Sequence, residues 1–297
     1  MRSILRSVVS KLRFRLDQSF SVCLKALAAD QLGRVGALGS QLVSGDPDSV
    51  HDMRVAFRRL RAILRMAKSA GDATSSPLRK GAKRIARVLG DVRNLDVLME
   101  HIREYLDGAK AQADSACVKW CEVIRAERNE KLTEALASIH SKEHKKWKRR
   151  LNNWILSKGP TDRLKDTLPN LLAESFHELS QLGDLSDPTI LHRYRIMCKR
   201  ARYELEFFQS MLDPSARHSM DTLKEAQDSI GVLRDRQAAV TSAEKYIEQR
   251  GPRESDLDVV REFIASMKRS SIAERAIAIV VSAAELEPPG LIQKATS

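Results

Sequence analysis

The chain repeats itself at one fixed offset, and that repeat limits what it can fold into more than any other feature. The stretch DPDSVHDMRVAFRRLRAILR, residues 46–65, returns as DPTILHRYRIMCKRARYELE, residues 187–206. At an offset of 192 − 51 = 141, Asp46 meets Asp187, Pro47 meets Pro188 and His51 meets His192. Arg54, Arg58, Arg59 and Arg61 likewise meet Arg195, Lys199, Arg200 and Arg202. Further on, GDVRNLDVLMEHIREYL is answered by GVLRDRQAAVTSAEKYI, with Gly90 opposite Gly231, Arg93 opposite Arg234 and Asn94 opposite Asp235. Two separated motifs sharing one offset point to a duplicated unit. At 297 residues the chain is long enough to hold both copies with a sizeable core.

Apolar residues recur at spacings of three and four, aromatics make up only 5% of the chain, and no alternation is sustained, so the expected fold class is all-α. The punctuation predicts a helix over 20–43 ended by Ser44 and Gly45. Asp46 then caps a second helix with Pro47 in the first turn, where its missing N–H costs nothing. That helix is expected to reach Ala70, and a third to cover 77–89 and stop at Gly90. A long helix over 109–139 follows, then the basic segment SKEHKKWKRRLNNWILSKGP. Gly159 and Pro160 mark the junction. The second copy runs from a helix over 161–182 through the paired motifs to Arg250, followed by helices over 256–268 and 272–284. The expected organisation is a basic N-terminal segment (1–19), a first half (20–158), a second half with the C-terminal helices (159–287) and a flexible tail (288–297).

Fifty-one lysines and arginines against 39 acids give a net charge of +12 and direct attention to a polyanionic partner. Cys23, Cys117, Cys121 and Cys198 show no metal-ligand spacing and read as reduced core residues. No apolar run has the length of a membrane span. The first twenty residues carry Arg2, Arg6, Lys11, Arg13 and Arg15 without the apolar core of a secretory signal. They fit a basic amphipathic helix, and an organelle transit peptide also fits. The expected location is cytoplasmic.

At about 100° per residue, His51, Arg54, Arg58, Arg61 and Arg65 fall in one quadrant of their helix, beside a face of Val50, Met53, Phe57, Leu60 and Leu64. The second copy sets His192, Arg195, Lys199 and Arg202 beside Leu191, Tyr194, Cys198, Ala201, Leu205 and Phe208. A basic stripe is ordinarily a solvated face laced by acids at i, i+4. Here no acid stands between Asp52 and Asp72, so the first stripe needs an anion or another segment to neutralise it. Arginine's planar fork suits phosphate oxygens, lysine adds a point charge, and a histidine can donate to the same oxygens. Arg59 and Arg200 lie off the stripe; pairing with an acid, Asp96 for Arg59, and ligand contact are both open to them. The third helix adds Lys80, Lys83, Arg84 and Arg87. Its counterpart keeps Lys224 opposite Lys83 but sets Asp221, Glu225 and Asp228 opposite the other three, so the first half is expected to carry more of the binding. The cluster from Lys142 to Arg150 reads as a separate solvated face. No phosphate-binding glycine loop, HExxH or carboxylate pair set among the cations is present, so neither a metal, a cofactor nor a catalytic residue is expected.

With these residues in view, VHDMRVAFRRLRAILR with LGDVRNLDVL, and LHRYRIMCKRARYELEFF with IGVLRDRQAA, resemble the two halves of a CHAD domain, the conserved histidine alpha-helical domain. The resemblance covers roughly residues 20–250. It implies two four-helix bundles related by a pseudo-twofold internal repeat, with the basic helices lining a central channel or groove. The implied ligand is inorganic polyphosphate, bound without cleavage by His51, Arg54, Arg58, Arg61, His192, Arg195, Lys199 and Arg202, with Lys83 and Lys224 at matching basic positions. Arg65, Lys80 and Arg87 complete the expected set. The acids around Lys224 depart from a fully basic repeat. The ExExK strand motif of the triphosphate-processing domains often fused to this family is absent from the sequence. Polyphosphate-metabolising enzymes and polyphosphate granules are the associations implied. A nucleic-acid binder and a phosphohydrolase or phosphotransferase acting on polyphosphate are the competing readings.

Overall fold

The computed structural model describes residues 12–109, 116–181, 183–250, 257–268 and 272–292. Ten α-helices follow in order: α1 (Phe20–Leu38), α2 (Pro47–Ser69), α3 (Ser75–Ala109), α4 (Ala116–His140) and α5 (Lys142–Leu156), then α6 (Leu164–Ser180), α7 (Pro188–Phe208), α8 (Ser215–Arg250), α9 (Asp258–Lys268) and α10 (Ile272–Ala284). Among the described residues there is no strand, only two isolated bridges, Ser19 with Arg163 and Leu212 with Leu291. No described helix is long and apolar enough to cross a membrane.

The two key helices start as their sequences dictate. The Asp46 carboxylate accepts the Ser49 N–H at 3.0 Å and Asp187 that of Thr189 at 2.7 Å, with Pro47 and Pro188 in the first turns. Gly45, at φ +69°, turns the chain into α2 after a 3₁₀ turn over Gln41–Ser44, so the first helix ends at Leu38 rather than Val43.

Packing repeats with the sequence. Helix α1 lies on α2 and α5, α2 on α3, and α3 on α4 and α5; in the second half α6 lies on α7 and α10, α7 on α8, and α8 on α9 and α10. Across the halves α1 touches α6, α2 touches α7, α3 touches α8 and α4 touches α9. Four of the five helices of each half thus meet their counterparts, a pairing compatible with a twofold relation. One large core runs through both halves, with Phe20, Phe57, Phe176 and Phe208 fully buried; at about 1.5–3 kcal/mol for each buried phenylalanine, it is what holds the halves together. A smaller core lies under the far ends of α3 and α8. There Trp120 stacks on Tyr246 (5.9 Å between ring centres) and meets Phe263 edge-on (5.4 Å).

Three sequence expectations give way to tertiary structure. Gly90 and Gly231 do not end helices: α3 runs 35 residues and α8 runs 36 straight through them. The basic segment after α4 is a helix with two faces, because His144, Trp147, Leu151 and Trp154 recur at three and four and are buried. Ser141 caps it by accepting the His144 N–H at 3.1 Å. Of the tail expected to be flexible, residues 288–292 pair with 211–213: the Asp213 N–H donates to Gly290 O at 2.9 Å and the Ile292 N–H to Met211 O at 3.0 Å. At the N-terminus residues 12–18 are not helical, and Phe14 is buried against Phe208. Of the helix or transit peptide expected over Arg2 to Arg15, residues 1–11 lie outside the described residues, as do 293–297. All four cysteines are free, and burial pushes the Cys23, Cys117 and Cys198 thiols up to about 12.

Candidate anion-binding seam between the halves

Where α2 meets α7, the basic stripes of the two copies come together. Burial, then Arg58 and Arg195, hold the Arg54 guanidinium down to about 10. Burial, then Arg58, Arg195, Arg54 and Arg202, drive the Lys199 ammonium down to about 5. Burial, Arg58 and Arg234 lower Arg195; burial, Arg79 and Arg58 lower Arg61. Arg54, Arg58, Arg195 and Lys199, two from each half, are therefore the centre of one cationic group. A histidine stands at each end. His51 is held below its ordinary value by desolvation and then by Arg93, Arg54 and Arg58; His192 by desolvation and then by Arg234, Arg195 and Lys199.

Each of the two mid-helix glycines has an arginine of the seam lying against it. Arg54 lies along α3 at Gly90, where a Cβ would stand 3.4 Å from its Nε. Arg195 lies along α8 at Gly231, where a Cβ would stand 3.2 Å from a terminal nitrogen, and its Nε–H donates to Gln227 O at 3.2 Å. A glycine inside a helix costs about 0.5–1 kcal/mol relative to alanine. Both copies keep it at the same repeat position, opposite the same arginine.

Among the described residues several polar atoms of the seam find no partner: the Nε atoms of Arg54, Arg58, Arg79 and Arg202 are buried without a hydrogen bond, as is Nδ1 of His192. Each such group costs about 1–3 kcal/mol. Two like charges 4 Å apart add about 4 kcal/mol of repulsion at an effective dielectric constant of 20. An anion bound along the seam would relieve both costs.

Acids from α6 and α7 pair with Arg65 and Arg202 of the stripes and with Arg59 and Arg200 beside them. Arg65 donates to the fully buried Glu204 at 2.7 Å, and Ser175 Oγ–H donates to the same carboxylate at 2.6 Å. Burial raises the Glu204 carboxyl, against the pull of Arg65, Ser175 and Arg200. Arg200 is clamped by Glu178 (2.6 Å), Glu174 (3.2 Å) and Glu204 (3.4 Å). Arg59 pairs with Glu206 at 3.2 Å, which Arg202 also contacts. Arg59 does not reach Asp96, whose buried carboxylate instead takes Arg128 at 2.8 Å. Of the expected binding residues, Arg65 is thus tied into the scaffold and Arg202 is shared between Glu206 and the seam.

Lys80, Lys83 and Arg87 stand exposed on α3, and Lys224 is exposed on α8 among Asp221, Glu225 and Asp228. None of these contributes to the pKa shifts of the central group. Arg93 acts on Arg54, Arg234 on Arg195, and Arg79 on the neighbouring Arg61; sequence reasoning left all three out, although Arg93 and Arg234 match at the repeat offset. Tyr194 and Tyr203 are buried, with the Arg202 guanidinium 4.9 Å and that of Arg58 6.0 Å from the Tyr203 ring centre. Among the described residues no group of three or more His, Cys, Asp or Glu is placed to hold a metal ion.

An all-helical protein built from two similarly packed halves around a buried cationic seam is the class defined so far. The family model for the CHAD domain matches residues 26–244, and the chain belongs to that family. The crystal structure of the CHAD domain from the plant Ricinus communis is similar over 95% of this chain and 97% of that one, with a TM-score of 0.75 at 21% identity. PptA from Streptomyces chartreusis is similar over 90% and 99%, with a TM-score of 0.66 at 14% identity. No curated protein sequence matches the chain.

Proposed function

We propose that the protein binds inorganic polyphosphate along the α2–α7 seam and does not cleave it. The observation that carries this reading is the central group of Arg54, Arg58, Arg195 and Lys199, drawn from both halves, with buried guanidinium donors that lack acceptors. Phosphate oxygens are strong acceptors, and arginine's fork engages two at once. A linear polymer lets one ligand neutralise cations of both halves. His51 and His192 bracket the row, and a bound anion favours their protonated forms. Membership of the CHAD family supports the same ligand. Polyphosphate-metabolising enzymes are the protein partners this reading suggests.

A single-stranded nucleic acid would call for exposed aromatic faces among the cations. Tyr194 and Tyr203 are instead buried at 2% and 4% exposure, which favours a ligand without bases.

Reversing Arg54, Arg58, Arg195 and Lys199 to glutamate together is expected to abolish retention on long-chain polyphosphate while circular dichroism shows unchanged helix content. Retention by the folded variant would refute the seam assignment. Competition by single-stranded nucleic acid at equal phosphate concentration is expected to fail; effective displacement would reverse the choice of ligand. Phosphate release from polyphosphate by the pure protein, with or without added divalent metal, is expected to stay at background.

A further inference from the structure

We infer that the exposed basic row of α3 and the outer face of α5 form a one-sided track continuing from the seam, over which a long polyphosphate leaves across the first half only. The inference rests on the polyphosphate reading and goes beyond it by assigning a second surface and a direction.

The track begins at Arg79, which is close enough to lower the pKa of Arg61 in the seam. From there Lys80, Lys83, Arg84 and Arg87 stand exposed along α3. From Arg79 to Arg87 the row covers about 12 Å at 1.5 Å per residue. Helix α5 is fixed against this row. The Trp147 indole sits over Gly81, where no side chain would fit, and its Nε1–H donates to Leu78 O at 2.8 Å. Arg84 from α3 and Lys148 from α5 flank the buried His144, which places the two basic rows edge to edge. All four lysines and both arginines of α5 are exposed, against one acid, Glu143.

Among the described residues the second half offers no such surface. Helix α10 packs on α8 as α5 packs on α3, yet its charged residues are one arginine, Arg275, and one acid, Glu274. On α8 itself Asp221, Glu225 and Asp228 surround Lys224 and oppose a polyanion. A chain long enough to protrude from the seam is therefore attracted on one side and repelled on the other.

Tripolyphosphate, which is too short to occupy seam and track together, and long-chain polyphosphate separate the two surfaces. In titrations against the triple variant K145E/K148E/R149E, tripolyphosphate affinity should equal that of the wild type. Long-chain affinity should fall by about tenfold or more, and the slope of log affinity against log salt should drop by about three, one per cation removed. The variant K145Q/K148Q/R149Q, which removes charge without reversing it, should reproduce the loss in slope and guards against a folding defect in the first. Unchanged long-chain affinity and slope in both variants, or equal losses for both ligands, would overturn the track. Failure of the wild type to bind either ligand would instead overturn the polyphosphate reading itself.

Discussion

The two halves of the seam share one plan but carry unequal charge. Helix α2 sets Arg54, Arg58 and Arg61 in a stretch without acids; α7 sets Arg195, Lys199 and Arg202 on a helix that also holds Glu204 and Glu206. At the repeat offset these acids stand opposite Ile63 and Arg65 (204 − 141 = 63, 206 − 141 = 65). The first half's surplus is met across the interface, Arg65 by Glu204 and Arg59 by Glu206. Divergence between the copies has thus sorted cations into two kinds. Those matched by acids fasten the halves together, and those without acids face one another.

The sharpest break in the comparison comes from the buried acid and its twin. Glu204→Ala removes the shared partner of Arg65 and Arg200 and is expected to cost about 3–5 kcal/mol in urea unfolding. Ile63→Val, at the matching position of the first half, should cost about 0.5–1.5 kcal/mol. Similar losses at both sites would mean that Glu204 acts by packing alone.

Neighbouring cations of α2 should respond with opposite signs. Arg65→Met leaves Glu204 short of a partner and should destabilise the protein by about 1–3 kcal/mol. Arg58→Met removes a repelling charge from Arg54, Arg195 and Lys199 and should stabilise the free protein while weakening polyphosphate binding. A destabilised Arg58→Met would show that the seam is not under electrostatic strain.

A smaller effect is expected from pH. Lys199 is depressed from 10.5 to about 5, so between those values the unfolded chain holds a proton that the folded chain lacks. Stability of the free protein should therefore rise with pH across that window. Polyphosphate favours the charged lysine and histidines, so binding takes up protons and weakens as pH rises, by about 1.4 kcal/mol per unit for each proton taken up. Calorimetry in buffers of different ionisation heat reads the uptake directly; none would contradict the depressed Lys199.

The glycines separate the halves most finely. Gly90→Ala meets Arg54 at an ordinary contact distance and should stabilise α3 by up to about 1 kcal/mol. Gly231→Ala meets Arg195 at 3.2 Å and should gain less or lose. Equal gains at both positions would show that Arg195 is free to move aside.

What the sequence made legible was local. The Asp-Pro starts of α2 and α7, the helical periods and the basic stripes depend on near neighbours, and all appear in the structure. The misreadings have tertiary causes. Gly90 carries the local signal of a helix stop, but α3 runs on through it, packed against Arg54 of another helix. Asp96 and a ligand are both open to Arg59 in the sequence, because its actual partner, Glu206, 147 residues away, leaves no local trace. The spacing of His144, Trp147, Leu151 and Trp154 carries the buried face of α5, but the dense charge between them masks it.

The glycine seats have a further consequence, for entropy. Holding a long, flexible arginine in one shape costs up to about 2 kcal/mol of side-chain freedom. Arg54 and Arg195 lie against helix backbone at Gly90 and Gly231, so that freedom is surrendered once, when the chain folds. A ligand arriving later meets guanidinium groups already held in place and has less disorder to remove. The lysines of α5, exposed on its outer face, have no such seat and must be ordered at each encounter. Tight holding thus belongs to the seam, and quick, exchangeable contact to the surface beside it.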